Sequence, residues 1–229
     1  MDRTAALNLT PSDRIIGALA FAAGTSDVFA FLKFHDVFTS AMTGNMALLG
    51  IALGQGHLLE AARSLAALIG FTVGSAVATL LHDTVATEAG RLQRLILLEA
   101  ICLAGVAVLW AVLAHPVYGA PLFALIVLGA GAMGIQSVAA RAIDLPGIPT
   151  VVFTTTLTMI MMGLIRAVAP ASGGVKPITW RQIGAMSAYL VGAAVAGLFA
   201  EIGPAVMALL PLVAVLVALG SARSVRSRA

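Results

Sequence analysis

The chain has 229 residues, of which 60% are hydrophobic and 10% charged, and its net charge is +3. Soluble domains carry about 25% charged residues, so this deficit, with a mean hydropathy of +1.04, excludes an ordinary soluble domain. The basic balance does not point to nucleic acid, because the Lys and Arg residues fall in short loops and at the C-terminus, as membrane topology requires.

In chain order, the sequence predicts six long apolar segments at about 14–33, 61–81, 92–114, 119–140, 181–200 and 203–221. Each can cross a hydrocarbon core of about 30 Å as a helix. Their runs are continuous rather than alternating, which excludes a β-barrel. The polar start, "MDRTAALNLTPSDR", has no cleavable-signal pattern, and the expectation is an uncleaved first span. Two further segments, about 37–54 and 149–165, are shorter and richer in Thr, Gly and Met.

Charge placement discriminates between two topologies. If both short segments cross, nine Lys/Arg lie inside and four outside; if both dip in and return, eleven lie inside and only Lys33 and Arg63 outside. The positive-inside rule favours the second. The expected fold is therefore an all-α polytopic membrane protein, a single transmembrane domain over 1–229. It has about six spans plus two re-entrant or half-helix elements, and both termini are cytoplasmic. Three spans per half is an odd number, so the candidate repeat halves, 14–114 and 119–221, would be inverted. "TGNMALLGIAL" from Thr43 and "TTTLTMIMMGL" from Thr154, 111 residues apart, give this weak direct support.

The stretch "AGTSDVFAFLKFHDVFTSAMTGNMALLGIALGQG", residues 23–56, resembles the YoaK family of bacterial inner-membrane proteins. Gly24, Asp27 and the Met42-Thr43-Gly44-Asn45 run match the first motif of that family. "FTTTLT" from Phe153 is similar to the second, with Thr155 where Gly is usual. The resemblance implies a multi-pass protein of the bacterial inner membrane and carries no activity with it.

The residues themselves suggest a site. A helix that begins inside the membrane leaves backbone N–H groups to satisfy, and Thr39, Ser40, Thr43 and Asn45 are of the types that cap helix starts. Such an end suits an anion or polar solute; the alternative is ordinary helix packing through small residues. Asp27, about 20 Å into the first span, is either a proton or cation group or a structural hydrogen-bonder. Gln136 and Ser137 hold a place in the second half like that of Ser26 and Asp27. The candidate substrate-binding set is Asp27, Thr39, Ser40, Thr43, Gly44, Asn45, Gln136, Thr154, Thr155 and Thr156. Glu99 is expected to snorkel toward Arg94 or Arg91. The four His residues lack metal-ligand spacing, and Met42, Met46, Met159, Met161 and Met162 read as packing rather than soft-metal ligands. Lone Cys102 has no disulfide partner in the chain.

No nucleotide loop, Ser–His arrangement or paired carboxylates stand out, so no enzymatic activity, cofactor or metal is expected. The expected partners are membrane lipids and an unidentified small solute, with room for a homo-oligomer. The leading reading is a small secondary transporter or permease for a polar or anionic solute. The alternative is a non-transporting scaffold, partner subunit or sensor.

Overall fold

The computed structural model describes residues 10–83, 87–143, 153–168 and 174–226. Among these residues all regular secondary structure is α-helical, with eight helices: α1 (Pro11–Lys33), α2 (Met42–Gln55), α3 (Leu58–Asp83), α4 (Glu88–Val112), α5 (Ala120–Arg141), α6 (Phe153–Val168), α7 (Pro177–Ile202) and α8 (Pro204–Arg226). Six of them, all except α2 and α6, are long and apolar enough to span a membrane. At 1.5 Å per residue, α2 and α6 reach only about 21 and 24 Å, short of the hydrocarbon thickness.

Local chemistry fixes the helix ends. Thr10 and Asp13 form a reciprocal capping box, with Pro11 in the first turn of α1, so two otherwise orphan donors are satisfied. Past Lys33, His35 (φ 59°) and Asp36 (φ 64°) turn left-handed, a conformation in which His and Asp are enriched among non-glycine residues. The turn sends the chain back toward α1. Gly56, also left-handed, ends α2 and leads directly into α3.

α1 and α5 form the centre. α1 packs on α7 and α8, α5 packs on α3 and α4, α4 meets α8, and α1 touches α5; α2 lies on α3, and α6 on α7. Both central helices are apolar nearly all round, as buried helices should be, and bury residues along most of their length. Close approach depends on glycine. A Cβ at Gly24 would collide with the Tyr189 backbone carbonyl, and one at Gly192 with that of Phe21; likewise Gly134 meets Phe71 O and Gly74 meets Gly131 O. Helices in lipid associate through such small-residue contacts.

Contacts along the helices also give their directions. Arg181 pairs with Asp13 at 2.9 Å, and Lys33 Nζ donates to Ala200 O at 3.1 Å, so α1 and α7 run parallel. α5 runs against α1. The first half of α1, with Ile15 and Leu19, packs with Ala132 and Met133 of α5. The last part, with Phe29 and Ala30, packs with Leu122 and Leu125, and His35 reaches Val117 O at 3.2 Å. α5 therefore starts on the face where α1 ends. Only an even number of crossings can lie between them, and α3 and α4 supply both.

α2 consequently starts and finishes on the side where α1 ends. The same reasoning holds in the second half. α5 ends beside the start of α1, where Gln136 Nε2 donates to Leu19 O at 2.9 Å, and α7 begins there, so α6 does not cross either. α8 returns to the starting face, where Gln93 of α4 donates to Ala222 O. Six helices cross, and the two ends of the described chain lie on one face. Large apolar side chains such as Leu80, Val108, Leu190 and Ile202 are exposed on the outside of the spans, as lipid contact requires.

Candidate functional site

The site is built where α1, α7 and the returning loop meet. Asp27 is buried in α1, about 9 Å of helix below Lys33, with 1% of its surface exposed. Its Oδ1 accepts from the backbone N–H of Thr39 (2.9 Å) and of Ser40 (2.6 Å). Its Oδ2 accepts from the Ser40 hydroxyl at 2.6 Å and the Tyr189 hydroxyl at 2.9 Å. The Thr39 hydroxyl has one hydrogen, placed between Asp27 Oδ1 (3.1 Å) and Ser26 Oγ (3.0 Å). All these partners donate, the environment of an acceptor-only carboxylate. The loop therefore re-enters the protein to the depth of Asp27 before α2 begins.

Asn45 closes the loop from the other side. It is fully buried; its Oδ1 accepts from Phe38 N–H at 2.9 Å, and its Nδ2 donates to Phe38 O at 2.7 Å. Gly44 leaves room for the Phe38 ring, which a Cβ there would meet at 3.0 Å. Phe38 in turn stacks on Phe31 of α1.

The expectation that this cluster caps α2 is corrected here. The cap residue is Ala41, which makes no side-chain cap bond. Thr39 and Ser40 are drawn away to Asp27, and Asn45 to Phe38. A buried carboxylate is a stronger acceptor than the water or backbone that a cap would otherwise engage, so the acid decides where the hydroxyls point.

The other candidate residues lie apart from this cluster. Thr43 is exposed on the first turn of α2. On α6, Thr154 and Thr155 are exposed and Thr156 is buried. The Thr158 hydroxyl bonds back to Thr154 O at 3.2 Å, a common habit of Thr in helices. α6 is held to α7 where Gly163 faces Thr179 and Gln182 reaches Met159 Sδ at 3.7 Å. Gln136 is buried on α5, bound to α1 through Leu19 O. Ser137, next to it, is covered by Arg141, which donates to its carbonyl at 2.7 Å. The lead into the second motif, residues 149–152, lies outside the described residues. Met46, Met159, Met161 and Met162 are exposed on two helices, and no group of three or more His, Cys, Asp or Glu among the described residues could hold a metal.

Glu99 is the second correction. It does not snorkel: its surface is fully buried and, among the described residues, neither carboxyl oxygen has a hydrogen-bond partner. Five residues separate it from Arg94, and five steps of about 100° place the two side chains roughly 140° apart around the helix. Arg94 is exposed while Glu99 faces the core.

Six crossing helices, two short helices that return to their own face and a buried acid anchoring one of them define a multi-pass α-helical membrane protein. Residues 15–221 match the family described as DUF1275, a protein family of unknown function, and the chain belongs to that family. It is also 35% identical over 157 residues to the UPF0700 transmembrane protein YoaK of Bacillus subtilis (strain 168), a match covering 64% of each chain. No solved structure matches.

Proposed function

We propose that the protein is a small secondary transporter or permease for a small polar or anionic solute, built from two inverted halves. The observation that carries this reading is the behaviour of α2 and α6. Neither crosses: α2 starts at the depth of Asp27 and runs out to the face where α1 ends, and α6 runs out to the opposite face, where α7 begins. Interrupted, half-length elements entering from both sides are a common plan of secondary transporters.

The repeat draws support from the packing. One constant shift in numbering carries Phe21 and Gly24 of α1 onto Gly131 and Gly134 of α5. A second carries Phe71, Gly74 and Ser75 of α3 onto Tyr189, Gly192 and Ala193 of α7. Under these shifts the backbone contacts of Gly24 with Tyr189 and Ala193 become those of Gly134 with Phe71 and Ser75. The helix pairings follow the same rule: α1 on α7 and α8 answers α5 on α3 and α4. Ser26 and Asp27 then correspond to Gln136 and Ser137.

In this reading Asp27 is a positioning group. It fixes the depth at which α2 starts, and the exposed Thr43 on α2 and Thr154 and Thr155 on α6 are the side chains free to meet a solute. The membrane is the bacterial inner membrane and the face bearing both termini is cytoplasmic, since only Lys33 and Arg63 among the Lys and Arg residues belong to the other face.

A scaffold or sensor is the competing reading, favoured by the complete internal pairing of Asp27 and Asn45. Proteoliposome uptake decides between them, using a panel of chloride, formate, acetate, phosphate, glycine, alanine and glutamate. Saturable uptake of one solute, lost in Thr43→Val together with Thr154→Val, supports transport. Uptake at the rate of empty liposomes for every solute favours the alternative.

A further inference from the structure

We propose that Glu99 is a reversible proton-binding site in the membrane core, the group through which the protein takes up and releases a proton. Its use in coupling rests on the transport reading; its existence as a site does not.

Glu99 is fully buried with both carboxyl oxygens unpartnered among the described residues, on the face of α4 that packs into the centre. Leu95, Ile96 and Leu103, within one turn, are each at most 1% exposed. Ile96, Ala100 and Leu103 pack with Leu19 of α1, Met133 of α5 and Val215 and Ala218 of α8. An ionised carboxylate there would have neither water nor a counter-charge, at a cost that a bound proton removes. The step is balanced without a co-reactant: carboxylate plus proton gives carboxylic acid, and release reverses it.

Among the described residues, the neighbouring elements supply no salt partner. α5 has no ionisable residue before Arg141, and α8 has none between Pro204 and Arg223. α1 offers Asp27, already engaged by donors from Thr39, Ser40 and Tyr189, with Asp13, Arg14 and Lys33 at its ends, Asp13 paired with Arg181 and Lys33 bound to Ala200 O. α3 carries Glu60, Arg63, His82 and Asp83 near its ends, and α4 carries Glu88, Arg91 and Arg94 toward its start, with Cys102 one turn beyond Glu99. A metal cation would need several oxygen ligands, whereas the residues of α4 within one turn of Glu99 are all apolar, so the ligand is a proton. Intramembrane acids with this placement are characteristic of proton relays. Access for a probe exists: an apolar groove of about 490 Å³ between α3, α4 and α5 is lined by Gly70, Gly74, Leu98, Cys102 and Val127, so a lipid-phase reagent can reach the turn next to Glu99.

The test uses the full chain in proteoliposomes with dicyclohexylcarbodiimide, which modifies protonated carboxyl groups from the lipid phase, read by mass spectrometry. N-cyclohexylmaleimide at Cys102 reports that the groove admits reagent. The expected result is an adduct on Glu99 but not Asp27, formed at acidic pH and suppressed at alkaline pH. Infrared difference spectra between the same two conditions should show a protonated-carboxyl band that disappears on raising pH and is missing in Glu99→Gln. An unmodified Glu99 beside a modified Cys102, or no pH-sensitive carboxyl band in the wild type, overturns the proposal. Neither readout needs a substrate. Failure of every solute to enter would therefore reject transport while leaving the proton site standing.

Discussion

Ser40 grips Asp27 twice, through its hydroxyl to Oδ2 and its backbone N–H to Oδ1, each at 2.6 Å. That pair ties the segment after α1 to the interior of α1 and makes the reversal of the chain a property of two residues thirteen positions apart. Ser40→Ala removes a hydrogen bond to a charged acceptor, worth about 1.5–3 kcal/mol. Its melting temperature in detergent should fall accordingly. Asp27→Asn should cost more than Ser40→Ala or Tyr189→Phe, because it removes the charge that strengthens every bond from Thr39, Ser40 and Tyr189 and sets an NH₂ donor where the Ser40 and Tyr189 hydroxyls now donate. An Asp27→Asn protein as stable as wild type would show that the carboxylate does not hold the loop.

The glycine contacts make a sharper comparison. Gly24→Ala and Gly134→Ala each drive a methyl group into a neighbouring helix backbone, and overpacking of this kind costs about 1–3 kcal/mol or more. Gly17 has nothing within 4 Å of an added Cβ, so Gly17→Ala should be neutral or gain up to about 1 kcal/mol of helix propensity. Thermal unfolding of the three variants checks the ranking. Unequal losses at Gly24 and Gly134 would weigh against equivalent halves.

Glu99 gives a prediction of opposite sign. Glu99→Met replaces a buried carboxyl group that has no hydrogen-bond partner with an apolar chain of similar length. It should leave stability unchanged or raise it by about 1–3 kcal/mol. A lower melting temperature would mean that the carboxyl group is satisfied in a way its surroundings do not reveal.

Much of this architecture was legible in the residues. Hydropathy located the six spans because continuous apolar runs have few alternatives in a membrane. The scarcity of Lys and Arg on one face favours two non-crossing short segments, and α2 and α6 are too short to span. The chemistry at Asp27 was less legible. Its partner Tyr189 is 162 residues away, and no spacing rule connects them. Thr39 and Ser40 have the composition of a helix cap, yet a nearby carboxylate outcompeted the helix end for their hydrogens. Glu99 was misread because closeness in sequence to Arg94 was taken for closeness in space, when the helical period turns the two apart. The match between the Thr43 and Thr154 segments falls on the two short helices α2 and α6, with Thr155 where a glycine is usual.

The re-entry of α2 and α6 from opposite faces is the claim on which the functional reading depends, and cysteine accessibility measures it most directly. In a Cys102→Ser background, single cysteines at positions 36 and 57 flank α2, and cysteines at 142 and 174 flank α6. A membrane-impermeant maleimide added to right-side-out vesicles should label 36 and 57 alike. It should reach 142 and 174 only after the membrane is opened. Labelling of 36 but not 57, or of only one of 142 and 174, would mean that a short helix crosses the membrane and would contradict the account.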